Sequence, residues 1–244
     1  MSRVALVTGG ASGIGRATAV ALIERGAAVV VADVNGDGAR ATAEEIGAFA
    51  VEVDVGDPDS VGAMVAACVE RFGGLDWACN VAGIAPNPKP FTDHTPEEWN
   101  RTIAVDLSGV FFCMQHELRQ MMAQGRGGAI VNVASAAGHV PAPGQPQYTA
   151  AKHGVLGLTK QAAQEFARNG IRVNAVLPGQ TETVPMRAYL EAMPDGGEKM
   201  KRRLPMGRLA TPEEIAHAVV WLCSDESSYV NGESLVVDGG LLAR

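Results

Sequence analysis

Seven short apolar runs punctuate this chain: Val4–Thr8, Ala28–Asp33, Ala48–Val53, Leu75–Asn80, Gly128–Ala134, Ile171–Val176 and Leu235–Val237. The segments between them are long enough for helices. Short strands alternating with helical segments predict a parallel sheet, because a parallel partner is reached only through a crossover connection. Most of the runs are nearly continuous in apolar residues, as expected of strands covered on both faces. The right-handed crossover rule then leaves a doubly wound α/β sheet as the simplest topology. At 244 residues the chain fits one such domain, taken as residues 1–244.

Helix punctuation agrees. Gly26 can close the first helix, Asp57-Pro58 opens the third, and Thr95-Pro96-Glu97-Glu98 and Thr211-Pro212-Glu213-Glu214 each supply a cap, a first-turn proline and two acids. One helix is expected over Glu97–Met122, with Val110, Phe111, Met114, Leu118 and Met121 at helical spacing. A second carries Tyr148, Val155, Leu158, Ala162 and Phe166. Their apolar area exceeds what one sheet face needs, so they either pair across a two-fold axis or lie deep in the core.

Composition excludes several functions. A net charge of −7 gives no basic surface for nucleic acid. Cys68, Cys79, Cys113 and Cys223 form no CxxC or Cys/His cluster, so neither a disulfide framework nor a metal site is expected. The N-terminal apolar run is too short for a secretory signal and no run is long enough to span a membrane, so a cytoplasmic setting is the default expectation.

The first run leads into Thr8-Gly9-Gly10-Ala11-Ser12-Gly13-Ile14-Gly15. A glycine-rich turn between strand and helix lets the backbone approach a pyrophosphate and aims unpaired helix N–H groups at it. Standing alone, such a stretch reads equally as a tight turn. Asp33 closes the second run, where a dinucleotide fold places the acid that bonds the adenosine ribose. A carboxylate there repels a 2′-phosphate, and Val34 and Asn35 supply no cation, so NAD is predicted over NADP. Helix capping is the alternative role for Asp33.

Tyr148 and Lys152 stand four residues apart, on one face of a helix. A neighbouring ammonium favours the phenolate, which suits a tyrosine to acid/base work near neutral pH. Without the nucleotide motif the pair would read as a solvated helix face.

Taken together, Thr8–Gly15, Asn80-Val81-Ala82-Gly83, Ser135, Tyr148-xxx-Lys152, Pro178-Gly179 and Val237-Asp238-Gly239-Gly240 resemble the classical short-chain dehydrogenase/reductase family, in order and over essentially the whole chain. The resemblance implies a Rossmann-like sheet of seven strands in the order 3-2-1-4-5-6-7, and a homotetramer. It implies Tyr148 as catalytic acid/base, Lys152 beside it on the nicotinamide ribose, and Ser135 on the substrate oxygen. Gly9, Ser12, Gly13, Ile14 and Gly15 would hold the pyrophosphate side. Asp33 would take the ribose, and Asp54 and Val55 would flank adenine. Asn80, Ala82, Gly83 and Val105 would line the cofactor's middle, with Pro178, Gly179 and Thr183 at its nicotinamide end.

Two positions depart from the family pattern. Val81 replaces the second Asn of the usual Asn-Asn-Ala-Gly, and Asp106 stands where the family has a catalytic Asn. A charged Asp106 would oppose the lysine's effect on the tyrosine and move alcohol oxidation to more alkaline pH, unless it is protonated or screened. Substrate contacts are expected from Gln145, just before Tyr148, and from Met186 and Tyr189 within a lid spanning about 184–206. The apolar lining suits an uncharged secondary alcohol or ketone, cyclic and steroid-like ones included. The run Lys199, Lys201, Arg202, Arg203 leaves a 3-oxoacyl-[acyl-carrier-protein] reductase as an alternative, although it also reads as a solvated face. A non-catalytic NAD-binding regulator is the alternative of another class.

Overall fold

The computed structural model describes residues 2–193 and 195–243. Its strands are β1 (Val4–Thr8), β2 (Ala28–Asp33), β3 (Phe49–Glu52), β4 (Trp77–Asn80), β5 (Gly128–Val133), β6 (Ile171–Pro178) and β7 (Ser234–Val237). All pair in parallel, in the order β3-β2-β1-β4-β5-β6-β7. The helices are α1 (Gly13–Glu24), α2 (Gly36–Ile46), α3 (Pro58–Phe72), α4 (Pro96–Ile103), α5 (Gly109–Gln124), α6 (Pro146–Phe166), α7 (Val184–Glu191), α8 (Glu198–Lys201) and α9 (Pro212–Cys223). β4 begins two residues later than expected. β6 runs two residues further, because Leu177 and Pro178 pair with Val236 and Val237 of β7.

Successive side chains of a strand point to opposite faces, and this divides the core in two. Val4 and Leu6 join Val61 and Met64 of α3, Val110 and Met114 of α5 and Val155 of α6. Ala5 and Val7 join Leu22 of α1, Ala39 of α2 and Ile215 of α9. The sheet is thus sandwiched, which is why its strands carry no polar stripe. Most of the α5 stripe enters the core, leaving Phe111 and Met122 exposed. All four cysteines are free and buried. Among the described residues no helix is long and apolar enough to cross a membrane.

The caps form as read. Asp57 accepts from the Asp59 N–H, and Thr95 and Thr211 each build a reciprocal capping box with Glu98 and Glu214. The single helix expected over Glu97–Met122 is instead broken by a π-helical turn, Ala104–Ser108. The wider turn rotates Asp106 inward, where Oδ1 accepts the Ile84 N–H at 2.8 Å. The expected lid folds as α7 and α8 around its own small core of Leu190, Leu204 and Leu209, with residue 194 outside the described residues.

Candidate active site

Parallel strands put all their C-terminal ends on one edge of the sheet, and that edge carries Gly9, Asp33, Asn80–Gly83, Ser135 and Pro178–Gly179. The glycine-rich turn is fixed from both sides. Gly9 has φ +68°, a left-handed conformation, and a Cβ there would lie 2.9 Å from the Ala82 nitrogen. A Cβ at Gly15 would collide with the Gly9 carbonyl. Thr8 Oγ1 accepts the Val81 and Ala82 N–H groups at 3.0 and 3.2 Å, tying the turns after β1 and β4 together. Ser12 is the exposed N-cap of α1 and makes no side-chain cap bond, so the helix N-terminus is left open to an anion. Thr183 stands against this turn, 3.3 Å from where a Gly13 Cβ would be.

Asp33 holds its place through both oxygens: Oδ2 accepts the Ala11 N–H at 3.0 Å and Oδ1 the Asn35 N–H at 2.9 Å. The two nearby arginines are already paired, Arg16 with Glu45 and Arg40 with Asp37. A carboxylate pinned to the glycine-rich turn fits a ribose diol. The missing Cβ atoms at Gly9 and Gly15 fit a pyrophosphate. The residues present therefore suit a dinucleotide.

At the other end of the turn, Lys152 Nζ lies 5.4 Å from the centre of the Tyr148 ring and 3.9 Å from Asp106 Oδ1. It also approaches the Val133 carbonyl at 3.4 Å. A Cβ on Gly83 would lie 2.8 Å from Asp106 Oδ1 and 3.3 Å from Lys152 Nζ, so only glycine lets the β4 turn pass over the pair. Asp106 is fully buried, and its Oδ2 has no hydrogen-bond partner. Burial pushes the Asp106 carboxyl above the ordinary carboxylate range, while the Lys152 charge and the Ile84 N–H pull it back. Ser135 Oγ accepts the Ala137 N–H at 3.1 Å. Tyr148 is half-buried at the start of α6, one turn before the lysine.

Not every expected residue turns toward the cleft. Asn80 is buried and its amide donates to Glu117 and Asn132, so the Asn80 side chain points into the core. Val55 is buried against Gly109, and Val105 packs on the same core. Asp54 is exposed, and its Oδ1 caps the Gly56 N–H at 2.9 Å. Gly179 packs on Asp238, where β6 and β7 end. Met186 joins the small core of the α7–α8 segment, and Tyr189 is exposed on α7. Gln145 donates to the Pro86 carbonyl, which commits its amide to bracing the loop after Gly83.

Three contributions were not read from the sequence. Thr8 opens the glycine-rich motif, but the hold of its hydroxyl on the Val81–Ala82 turn was not expected. His94 Nε2 bonds the Gly144 carbonyl at 2.9 Å, and its Nδ1 faces the buried Gln147 amide at 3.1 Å, joining the loop after β4 to the turn before Tyr148. Glu117 is fully buried, three residues after Met114 and four before Met121. A charged residue on an apolar helical stripe was the available signal.

Comparison with known proteins accords with this geometry. Residues 9–242 match the family model described as enoyl-(acyl carrier protein) reductase. A cis-4-hydroxycyclohexanecarboxylate dehydrogenase of Sinomonas cyclohexanicum is 48% identical, over 99% of this chain and 97% of the relative. A short chain dehydrogenase/reductase of Aspergillus oryzae, astE, is 44% identical over 98% and 94%. The crystal structure of levodione reductase superposes with a TM-score of 0.95 at 37% identity, covering 99% of this chain and 98% of that one. A seven-stranded sheet of this order, the glycine-rich turn, the Tyr148–Lys152 pair and near full-length identity to such relatives converge: the chain is an oxidoreductase of the short-chain dehydrogenase/reductase family.

Proposed function

We propose that the chain is an NAD-dependent dehydrogenase that transfers a hydride between the nicotinamide and an uncharged secondary alcohol or ketone, with Tyr148 as acid/base. The observation that carries the chemistry is the Lys152 ammonium, held 5.4 Å from the Tyr148 ring by a buried carboxylate and a strand-end carbonyl. As acid/base, the Tyr148 oxygen takes the proton from a carbinol O–H in oxidation and returns it to the oxygen in reduction. Ser135 receives the Ala137 N–H and donates its own O–H to the substrate oxygen. Bound NAD supplies the hydride acceptor. Gly9, Ser12, Gly13, Ile14 and Gly15 hold its phosphates, Asp33 its ribose, and the backbone of Ala82 and Gly83 its middle. The preference for NAD over NADP is supported by the pinned Asp33 charge and by the pairing of Arg16 and Arg40 with acids.

The substrate reading rests on the apolar side chains Met186, Leu190 and Met193 of the α7–α8 segment, on Tyr189 exposed on α7, and on the cyclohexane ring in the name of the 48%-identical relative, whose carboxylate lies outside the uncharged class. The 3-oxoacyl-[acyl-carrier-protein] reductase remains the second reading; the description of the family model shares the carrier protein but names an enoyl substrate. Asp33 opposes it, because that chemistry usually draws on a 2′-phosphorylated cofactor. The reading includes a homotetramer, supported by Phe111 and Met122 left exposed on α5, and a cytoplasmic setting, supported by four free cysteines. The test is a screen with NAD or NADP against cyclohexanols, other secondary alcohols, sugars and hydroxysteroids, read by reduced-cofactor absorbance. Turnover with NAD that is lost in Tyr148→Phe is expected. Turnover with NADP alone would overturn the cofactor assignment, and NAD binding without turnover on any substrate would indicate a regulator.

A further inference from the structure

Three elements of the site converge on one buried acid that the reaction does not use. Glu117 of α5 is fully buried, and its Oε2 accepts from Asn80 Nδ2 at 3.0 Å. The same Nδ2 donates to Asn132 Oδ1 at 3.0 Å, and Asn80 and Asn132 lie directly opposite in the β4–β5 register. Asn132 Nδ2 in turn donates to Thr159 Oγ1 at 2.9 Å, two turns beyond Lys152 on α6. The network thus joins the ends of β4 and β5 to the helix that carries Tyr148 and Lys152.

Among the described residues no cation pairs with Glu117. Its Oε1 and Asn80 Oδ1 are buried atoms without a hydrogen-bond partner. The ionisable groups that feel its field are thiols: Cys113 on its own helix, Cys68 of α3 and Cys79 of β4. Burial pushes the Glu117 carboxyl up to about 8, with the Asn80 bond opposing. A protonated acid brings one O–H donor and keeps its acceptors, which suits a site whose unpaired atoms are both acceptors.

The backbone just beyond each asparagine gives the network its consequence. After Asn80, the Val81 and Ala82 N–H groups bond Thr8 Oγ1 beside Gly9, and Gly83 packs over Asp106 and Lys152. After Asn132, the Val133 carbonyl faces Lys152 Nζ, and Ser135 stands two residues further on. We propose that Glu117 is a positioning residue: as an uncharged acid it fixes Asn80 and Asn132, and through them the strand ends that place the Val81–Gly83 turn and the lysine's carbonyl partner. Its functional consequence rests on the dehydrogenase reading, whereas the fixing of the turn does not.

The test uses the full-length protein, E117Q and E117L. Infrared difference spectra between wild type and E117Q should show a protonated-carboxyl C=O stretch at about pH 6 that gives way to carboxylate bands by about pH 10. Calorimetric titration with NAD should find E117L weakened about tenfold and E117Q restored to near the wild-type affinity, tenfold being one average buried hydrogen bond. From about pH 6 to about pH 10 wild-type affinity should fall more steeply than that of E117Q, whose amide cannot ionise. Asp106, Tyr148 and Lys152 are common to both proteins, so they cancel in that comparison. A carboxylate band already present at about pH 6, or identical pH dependence in wild type and E117Q, would overturn the proposal. If E117L does not fold, the wild-type and E117Q pair decides. Absence of binding of both NAD and NADP in every form overturns the dehydrogenase reading instead. Amide exchange at Val81 and Ala82 then decides the positioning role: exchange that accelerates with pH, beyond its intrinsic dependence, in wild type and not in E117Q supports it, and equal exchange overturns it.

Discussion

Replacing Asp106 with Asn should shift the pH dependence of alcohol oxidation toward neutral. Lys152 Nζ stands 3.9 Å from the Asp106 carboxylate and 5.4 Å from the centre of the Tyr148 ring, so carboxylate and ring are at most about 9 Å apart. The phenolate charge sits on the oxygen about 3 Å beyond the ring centre, so at an effective dielectric of about 20 and at most about 12 Å the carboxylate raises its energy by at least about 1.4 kcal/mol. That is about one pH unit, and a closer approach would enlarge it. Asp106 is fully buried, so bulk solvent does little to screen the term. Asn keeps an acceptor for the Ile84 N–H, which separates loss of charge from loss of the fold. The assay is kcat/KM for oxidation against pH, wild type beside Asp106→Asn, at saturating NAD. The rising limb should move to lower pH by at least about one unit in the variant. Superimposable limbs would refute the reasoning, because they would mean that Asp106 carries no charge where Tyr148 works. Burial, which pushes its carboxyl upward, is the force that would produce that result.

Asp33→Asn keeps one acceptor for the Ala11 N–H and removes the charge; the ratio of kcat/KM for NAD over NADP should fall by at least about tenfold, the repulsion of a 2′-phosphate ~6 Å away even in water. Glu117→Gln should flatten the loss of stability with pH. The wild-type acid has a higher pKa folded, about 8, than unfolded, so its neutral form favours the fold. Stability is therefore greatest below the unfolded value of about 4.3 and falls as pH rises to about 8, by at most about 5 kcal/mol relative to the Gln variant. Urea denaturation at fixed protein concentration across that range checks it, and parallel curves would count against a neutral Glu117. Thr211→Ala removes the hydroxyl that caps α9 at the Glu214 N–H and should cost about 1 kcal/mol in the same assay.

The sheet was legible because its strands are buried on both faces, so apolar runs and strands coincide to within two residues at each end. The glycine-rich turn was legible for a related reason: Gly9 and Gly15 stand where a side chain would strike Ala82 or the Gly9 carbonyl. Tyr148 and Lys152 were legible as a pair because helical spacing is local. What escaped is non-local. Nothing near Thr8 in sequence says that its hydroxyl receives two N–H groups from a turn more than seventy residues away. The family resemblance implied Val55 and Asn80 at the cofactor. Yet a position at a strand end fixes only the backbone, and both side chains turn into the core. The break at Ala104–Ser108 was invisible for the opposite reason: its residues suit an α-helix, and it is Asp106 accepting from Ile84 that goes with the wider turn. Asp106 and Glu117 belong to one helical rod, and each is a carboxyl buried in the interior. Such a residue contributes no apolar burial to stability. Its place is explained by what it holds, the β4 turn and Lys152 for Asp106 and the two asparagines beneath that turn for Glu117.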